Sequence, residues 1–136
     1  MNKFLVDTNV LVRLIAKDDK KKFQSVLQLV ERVDKGEMTL IIPTITIAEC
    51  CWLFESFYKL DKSIIAKYLI DILESENVEA EDKDSVEILK IYGEKNVDFA
   101  DSLLSVKSSN RIPVLTWDKK DFKKLNCEFY SPDDLR

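Results

Sequence analysis

Not one histidine occurs among the 136 residues of this chain. Without imidazole, neither a Ser-His-Asp nor a Cys-His catalytic arrangement can be assembled, and the commonest general base of enzymes is missing. Any hydrolytic chemistry must then run on carboxylates, lysines, hydroxyls or a metal. Cysteine is scarce as well: Cys50, Cys51 and Cys127 form an odd set, the first two adjacent. Neighbours on a helix point about 100° apart, so these two thiols do not face one another. With no C-x-x-C spacing and no histidine a zinc site is disfavoured, and the three read as buried free thiols.

Glycine occurs twice (Gly36, Gly93) and proline three times, so connections are short and nothing marks a second domain. The chain reads as a single domain over residues 1–136. No apolar run is long enough to span a bilayer. The opening Met-Asn-Lys-Phe-Leu-Val leads straight into Asp7 with no signal-peptide core, so a cytoplasmic protein is expected. Excess positive charge is also lacking. Twenty-one basic residues stand against 25 acidic ones, a net charge of −4, which argues against coating nucleic acid through bulk charge. A phosphate-bearing substrate would have to be received by local lysines or by bound cations.

What is present fits a soluble globular domain: 46% apolar and 34% charged residues, in a chain long enough for one sizeable core. Residues 3–6 read as a short buried strand, and apolar residues 10, 11, 14 and 15 then take helical spacing. Residues 20–35 form a second helix with Phe23, Val26, Leu27, Val30 and Val33 on one stripe, stopped by Gly36. A strand over 39–43 ends at Pro43. Helices follow over 44–58 and 62–75, a weak strand at 77–81, a helix over 83–93 ended by Gly93, and another from 98 to 109. Strand 112–116, helix 119–125 and strand 127–130 complete the chain. Short strands alternating with helices imply βαβ units, hence an α/β fold with a mostly parallel sheet of about five strands and helices on both faces.

Sites in such sheets lie beyond the carboxyl ends of the strands. Two strands end alike here: "FLV" runs into Asp7 and "PVLT" into Trp117-Asp118. Helix capping accounts for either one alone, but not so readily for both. Glu49, in "TITIAECCWLFESF", has Ile45, Thr46, Trp52 and Leu53 as same-face neighbours, a stripe on which a lone carboxylate is costly to bury. Pairing with a buried Lys or Arg, or a less buried stripe, is the plainer alternative. Glu55, about 240° round the helix, is expected to face solvent. Asp98 and Asp101 stand one turn apart and share a face with Ser105. Asp98 suits an N-cap, while Asp101, leading into the apolar "SLLSV", points toward the core.

In a right-handed βαβ sheet the first turns of these helices lie at the same rim as the strand ends. Asp7, Glu49, Asp101 and Asp118 are therefore expected to converge. Four like charges must protonate or bind cations, and oxygen-only ligands select hard ones, Mg²⁺ or Mn²⁺. Such an ion activates water and shields a phosphodiester, with a second ion about 4 Å away as an option.

At these residues the sequence resembles the PIN-domain nucleases, and among them the VapC-type toxins of toxin–antitoxin pairs. "FLVDTNVLVRL" is similar to the family's opening strand and Asp-Thr-Asn, and "TIAECCWLF" to the helix carrying its glutamate. "VDFADSLLS" resembles the segment carrying its third acid, which falls at Asp101 with Asp98 a common extra. "VLTWDKKDFKKL" resembles its Thr-x-Asp-x-x-Asp-Phe stretch, with the fourth acid at Asp118. The resemblance covers residues 4 to 131, and Ser102 stands where alanine is commoner. It implies a three-layer α/β/α sandwich and Mg²⁺- or Mn²⁺-dependent RNA endonuclease activity. It also implies a homodimer and inhibition by a small cognate antitoxin. Asp7 and Asp101 would be the main metal ligands, Asp118 would complete the set or hold a second ion, and Glu49 would hold or deprotonate the attacking water. Thr8, Asn9, Asp98 and Thr116 would orient the carboxylates or the substrate phosphate.

The lysines of "KDDKKK" and "KKDFKK" would steer RNA, or simply solvate helix faces. Trp52, Phe54, Phe57 and Tyr58 suit either the core or a contact with the dimer partner or antitoxin. A fold of this kind that has lost catalysis and only binds RNA or assembles is the alternative. A receiver-like phosphoacceptor domain fits less well, because no middle strand ends in the Asp it needs.

Overall fold

A computed structural model describes residues 2–136. In chain order it contains β1 (Asn2–Leu5), α1 (Thr8–Ala16), α2 (Lys20–Asp34), β2 (Met38–Ile42), α3 (Thr44–Ser56), α4 (Lys62–Leu73) and β3 (Val78–Ala80). Then follow α5 (Ser85–Lys95), α6 (Phe99–Lys107), β4 (Val114–Leu115), α7 (Lys119–Lys124), β5 (Phe129–Tyr130) and a 3₁₀ helix (Pro132–Leu135). The architecture is the expected three-layer α/β/α arrangement, and every strand pairing is parallel. The five strands are divided, however: β1-β2-β3 form one sheet and β4-β5 a second. The 3₁₀ helix has no counterpart in the periodicity, since four residues are too few to show one.

Local chemistry sets the element ends. Asp19 caps α2 by accepting a hydrogen bond from the Lys22 N–H at 3.1 Å, and Gly36 follows that helix at φ 77°, a left-handed conformation open to glycine at no steric cost. Pro43 precedes α3 in extended conformation. In β2, Met38, Thr39, Leu40 and Ile42 are all buried, because β1 and β3 flank it on both edges. The main core joins β2 to Val12 of α1, Ile47, Cys50 and Phe54 of α3, Ile65 and Leu69 of α4, and Ile88, Leu89 and Tyr92 of α5. Each fully buried aliphatic side chain contributes about 1.5–3 kcal/mol. Val97, Val114, Phe122 and Leu125 make a smaller second core beneath β4 and β5.

Three expectations change. β1 is exposed along its whole length rather than buried: Leu5 keeps 73% of its surface, and only Val6, past the strand, enters the core. Its single strand neighbour is β2, so it lies at the edge of its sheet. Glu55 does not face solvent; it is half-buried, accepting from Lys62 Nζ at 2.6 Å and from the Tyr92 hydroxyl at 2.5 Å. Glu49 is the exposed one. The buried residues of α3 (Ile47, Cys50, Cys51, Phe54) define its inner face, and at about 100° per residue Glu49 falls about 200° from Ile47, Glu55 only about 80°.

Gly93 does not end α5. The helix continues to Lys95 and is closed by Asn96 in the left-handed conformation, φ 54°. Gly93 serves instead where α5 crosses α4: a Cβ there would lie 2.8 Å from the Ala66 Cβ. Replacing Gly with Ala in an exposed helix gains about 1 kcal/mol; here Gly93→Ala is expected to destabilise by about 1–3 kcal/mol, the usual cost of overpacking. Urea titration of both proteins checks this, and a variant as stable as the parent would refute the close approach.

Candidate active site

The first acid group grows out of the end of β1. Asp7 is the N-cap of α1, in extended conformation, and its Oδ1 accepts from the Thr8 N–H at 2.8 Å. The capping role is therefore real. The buried Thr8 hydroxyl points the other way and donates to Glu49 Oε1 at 3.1 Å. Thr46 on the same helix donates to the Val6 carbonyl at 2.9 Å, which fastens α3 to the end of β1. Asn9 is exposed on the first turn of α1. Beneath this pair lies Cys50, whose thiol is pushed up to about 12 by burial, with the charges of Glu49 and Asp7 adding. Burial likewise pushes Cys51 up to about 12. All three cysteines are free, with Cys50 and Cys51 buried and Cys127 half-buried. The two buried thiols stay protonated at neutral pH and are no nucleophiles.

The second group forms where α6 meets α7. Asp98 is the N-cap of α6 and makes no side-chain capping bond, leaving its carboxylate exposed. Asp101 occupies the first turn, half-buried. Behind it the buried Ser102 hydroxyl donates to the Ile88 carbonyl at 2.6 Å and locks α6 onto α5. Asp118 caps α7: its Oδ1 accepts from the Asp121 N–H at 3.1 Å, and its own N–H donates to Thr116 Oγ1 at 2.9 Å. Thr116 is in turn held by its N–H bond to the Tyr130 carbonyl of β5, 2.8 Å.

One carboxylate oxygen from each of Asp101, Asp118 and Asp121 lies within 4.8 Å of the other two. Among the described residues these are the acids that meet closely enough to share one ion. Burial raises the Asp101 carboxyl above the usual carboxylate range, with Asp98, Asp118 and Asp121 adding their repulsion. The nearest recorded cation is Lys124, 3.7 Å from Asp121 and too little to balance three charges. The donor set is oxygen only, with no nitrogen or sulfur, and it fits a hard divalent cation such as Mg²⁺ or Mn²⁺.

Of the four acids expected together, Asp101 and Asp118 meet within 4.8 Å, and Glu49 is linked to the Thr8 beside Asp7. Asp7 follows a strand of one sheet and Asp118 a strand of the other, and β1 is not paired with β4. Asp121 belongs to the cluster and escaped selection, although its spacing of three from Asp118, one turn on, was the available signal.

Comparison with known proteins bears on this arrangement. A model of the PIN domain family matches residues 4–126. A VapC ribonuclease of Aquifex aeolicus (strain VF5) is 28% identical over 130 residues, 94% of this chain and 96% of that protein. No solved structure matches the chain.

The electrostatics can be tested directly. A carboxyl whose pKa is raised on folding binds its proton more tightly in the native state. Its ionised form therefore costs stability above the folded pKa, and that cost vanishes as pH falls below the unfolded value. In metal-free protein Asp101 is expected to titrate above an ordinary Asp, and to move back toward it in Asp118→Asn or on adding Mg²⁺. Carboxyl-carbon NMR titration reads this. An Asp101 resonance that ignores both changes would refute the cluster.

Proposed function

The chain belongs to the PIN-domain family, and on that premise we propose that it is a divalent-metal-dependent endoribonuclease, the toxin of a toxin–antitoxin pair. The observation that carries the reading is the meeting of Asp101, Asp118 and Asp121 within 4.8 Å. It is joined by the likeness to a protein named VapC ribonuclease.

Asp101, Asp118 and Asp121 hold the cation in this reading, Mg²⁺ or Mn²⁺. When bound, such an ion supplies charge shielding for the phosphodiester and Lewis acidity toward its oxygens. Asp98 deepens the negative potential that draws the cation in. Thr116 keeps Asp118 in place through the Asp118 N–H, and Thr8 orients Glu49. Glu49 and Asp7 act on the same phosphodiester as the triad, Glu49 taking the proton of the attacking water and Asp7 adding a ligand. Asn9, exposed two residues after Asp7, contacts the phosphate. The exposed Lys119 and Lys120 offset the acids as RNA approaches. The protein acts in the cytoplasm as a homodimer restrained by an antitoxin. Among the described residues no helix is long and apolar enough to cross a membrane.

Purified protein freed of any antitoxin is expected to cut members of a mixed RNA pool with Mn²⁺ and to stop in EDTA. Asp101→Asn, Asp121→Asn and Asp7→Asn are each expected to lower the rate by more than the roughly 10- to 100-fold that loss of an outer-shell partner of a metal costs. Gel analysis of the cleaved pool measures both effects. No cleavage of any RNA would leave a binding or assembly module as the reading, and full activity in Asp121→Asn would remove that residue from the site.

A further inference from the structure

Trp117 stands immediately before Asp118 and keeps 70% of its surface exposed. A core would normally claim a side chain of this size. The indole is also not free to swing: its Nε1–H donates to Asp133 Oδ2 at 3.1 Å. Asp133 sits on the C-terminal 3₁₀ helix, which is secured by a capping box. There the Ser131 N–H donates to Asp134 at 2.8 Å and the Asp134 N–H to the Ser131 hydroxyl at 3.3 Å. The Trp117 backbone is tied on both sides too. The Thr116 N–H bonds the Tyr130 carbonyl at 2.8 Å, and the Trp117 carbonyl accepts from the Lys119 N–H at 3.0 Å. A hydrogen-bonded, solvent-facing indole is thus carried by the residue that immediately precedes Asp118 of the acid triad, with the exposed Lys119 and Lys120 following in the chain.

Aromatic faces held in water beside a phosphate-receiving site are what unpaired nucleobases stack on. Such stacking tolerates any base but requires it to be out of a duplex. Building on the nuclease reading, we propose that Trp117 is a stacking platform for an unpaired base next to the scissile phosphate. Asp133 is the positioning residue that holds the ring.

The test uses full-length protein. Trp52→Phe leaves Trp117 as the only tryptophan, and Asp7→Asn is added so that bound RNA is not cut. In Mg²⁺ buffer, an eight-nucleotide single-stranded RNA is expected to quench Trp117 emission saturably, while the same strand annealed into a duplex does not. In the otherwise unaltered enzyme, Trp117→Ala is expected to raise KM for single-stranded RNA about 5- to 150-fold, the range that base-on-aromatic stacking gives, with kcat little changed. Trp117→Phe keeps a π face but loses the N–H, so it should retain most of the affinity. A merely structural role through Asp133 predicts instead that the Phe variant fails with the Ala variant and that both lose thermal stability. Absent quenching, equal quenching by the duplex, or an unchanged KM in Trp117→Ala would overturn the proposal. Because quenching reads binding alone, a protein that cuts no RNA yet shows quenching retains the platform and loses only the nuclease reading.

Discussion

Carboxylates confined to one small volume repel one another, and the fold has to hold them there against that force. Asp101, Asp118 and Asp121 have oxygens within 4.8 Å of each other, and Asp101 is raised by burial and by its neighbours' charges. Two devices offset the repulsion within the chain. Asp98 and Asp101 stand at the start of α6, where the helix dipole favours negative charge by about 0.3–1 kcal/mol each. Asp118 accepts the Asp121 N–H. Neither these nor Lys124, 3.7 Å from Asp121, balances the three charges, and the cluster keeps an oxygen-only donor set that fits a hard cation.

The scaffold around the acids is rigid where the chemistry needs it. Ser102 fixes α6 to α5, α5 lies tightly on α4 at Gly93 and Ala66, and the Glu55–Lys62–Tyr92 contacts tie α3 to both. That last network lies mostly out of water, where leaving one partner unpaired costs about 1–3 kcal/mol or more for a charged group. It is more costly to break than a surface ion pair of the same length. The free edge of β1 contrasts with this. Phe4 and Leu5 are open there beside Asp7, so the first acid group rests on the least enclosed strand of the structure.

Asp7 follows β1 of the three-stranded sheet and Asp118 follows β4 of the two-stranded one, with Glu49 linked to the first through Thr8 and Asp101 and Asp121 meeting the second. Each group is internally well ordered, by Thr8 in one case and by Thr116 in the other. Asp7 and Asp118 lie just past the carboxyl ends of parallel strands and Asp101 and Asp121 on the first turns of helices, as α/β topology demands, whereas Glu49 sits on the second turn of α3.

Much of this was legible in the chain before any coordinates. The absence of histidine left carboxylates, lysines, hydroxyls or a metal as the means of any hydrolytic chemistry. Apolar spacing together with glycine and proline stops located the seven helices and five strands of the described residues to within a few positions, although β1 is exposed where burial was expected. "VDT", "AEC", "FADS" and "TWD" marked Asp7, Glu49, Asp101 and Asp118, since a carboxylate beside an apolar run is costly unless it is used. Tertiary contacts decided the rest. Whether Gly93 stops a helix or lets two helices touch depends on Ala66, 27 residues away, and which α3 glutamate is buried depends on Lys62 and Tyr92. That β1 lies at an edge, that Asp121 joins Asp101, and that Trp117 is held outward by Asp133 are likewise set by residues remote in sequence. Local patterns record how one segment meets water, whereas which segments meet each other is settled by packing the whole chain.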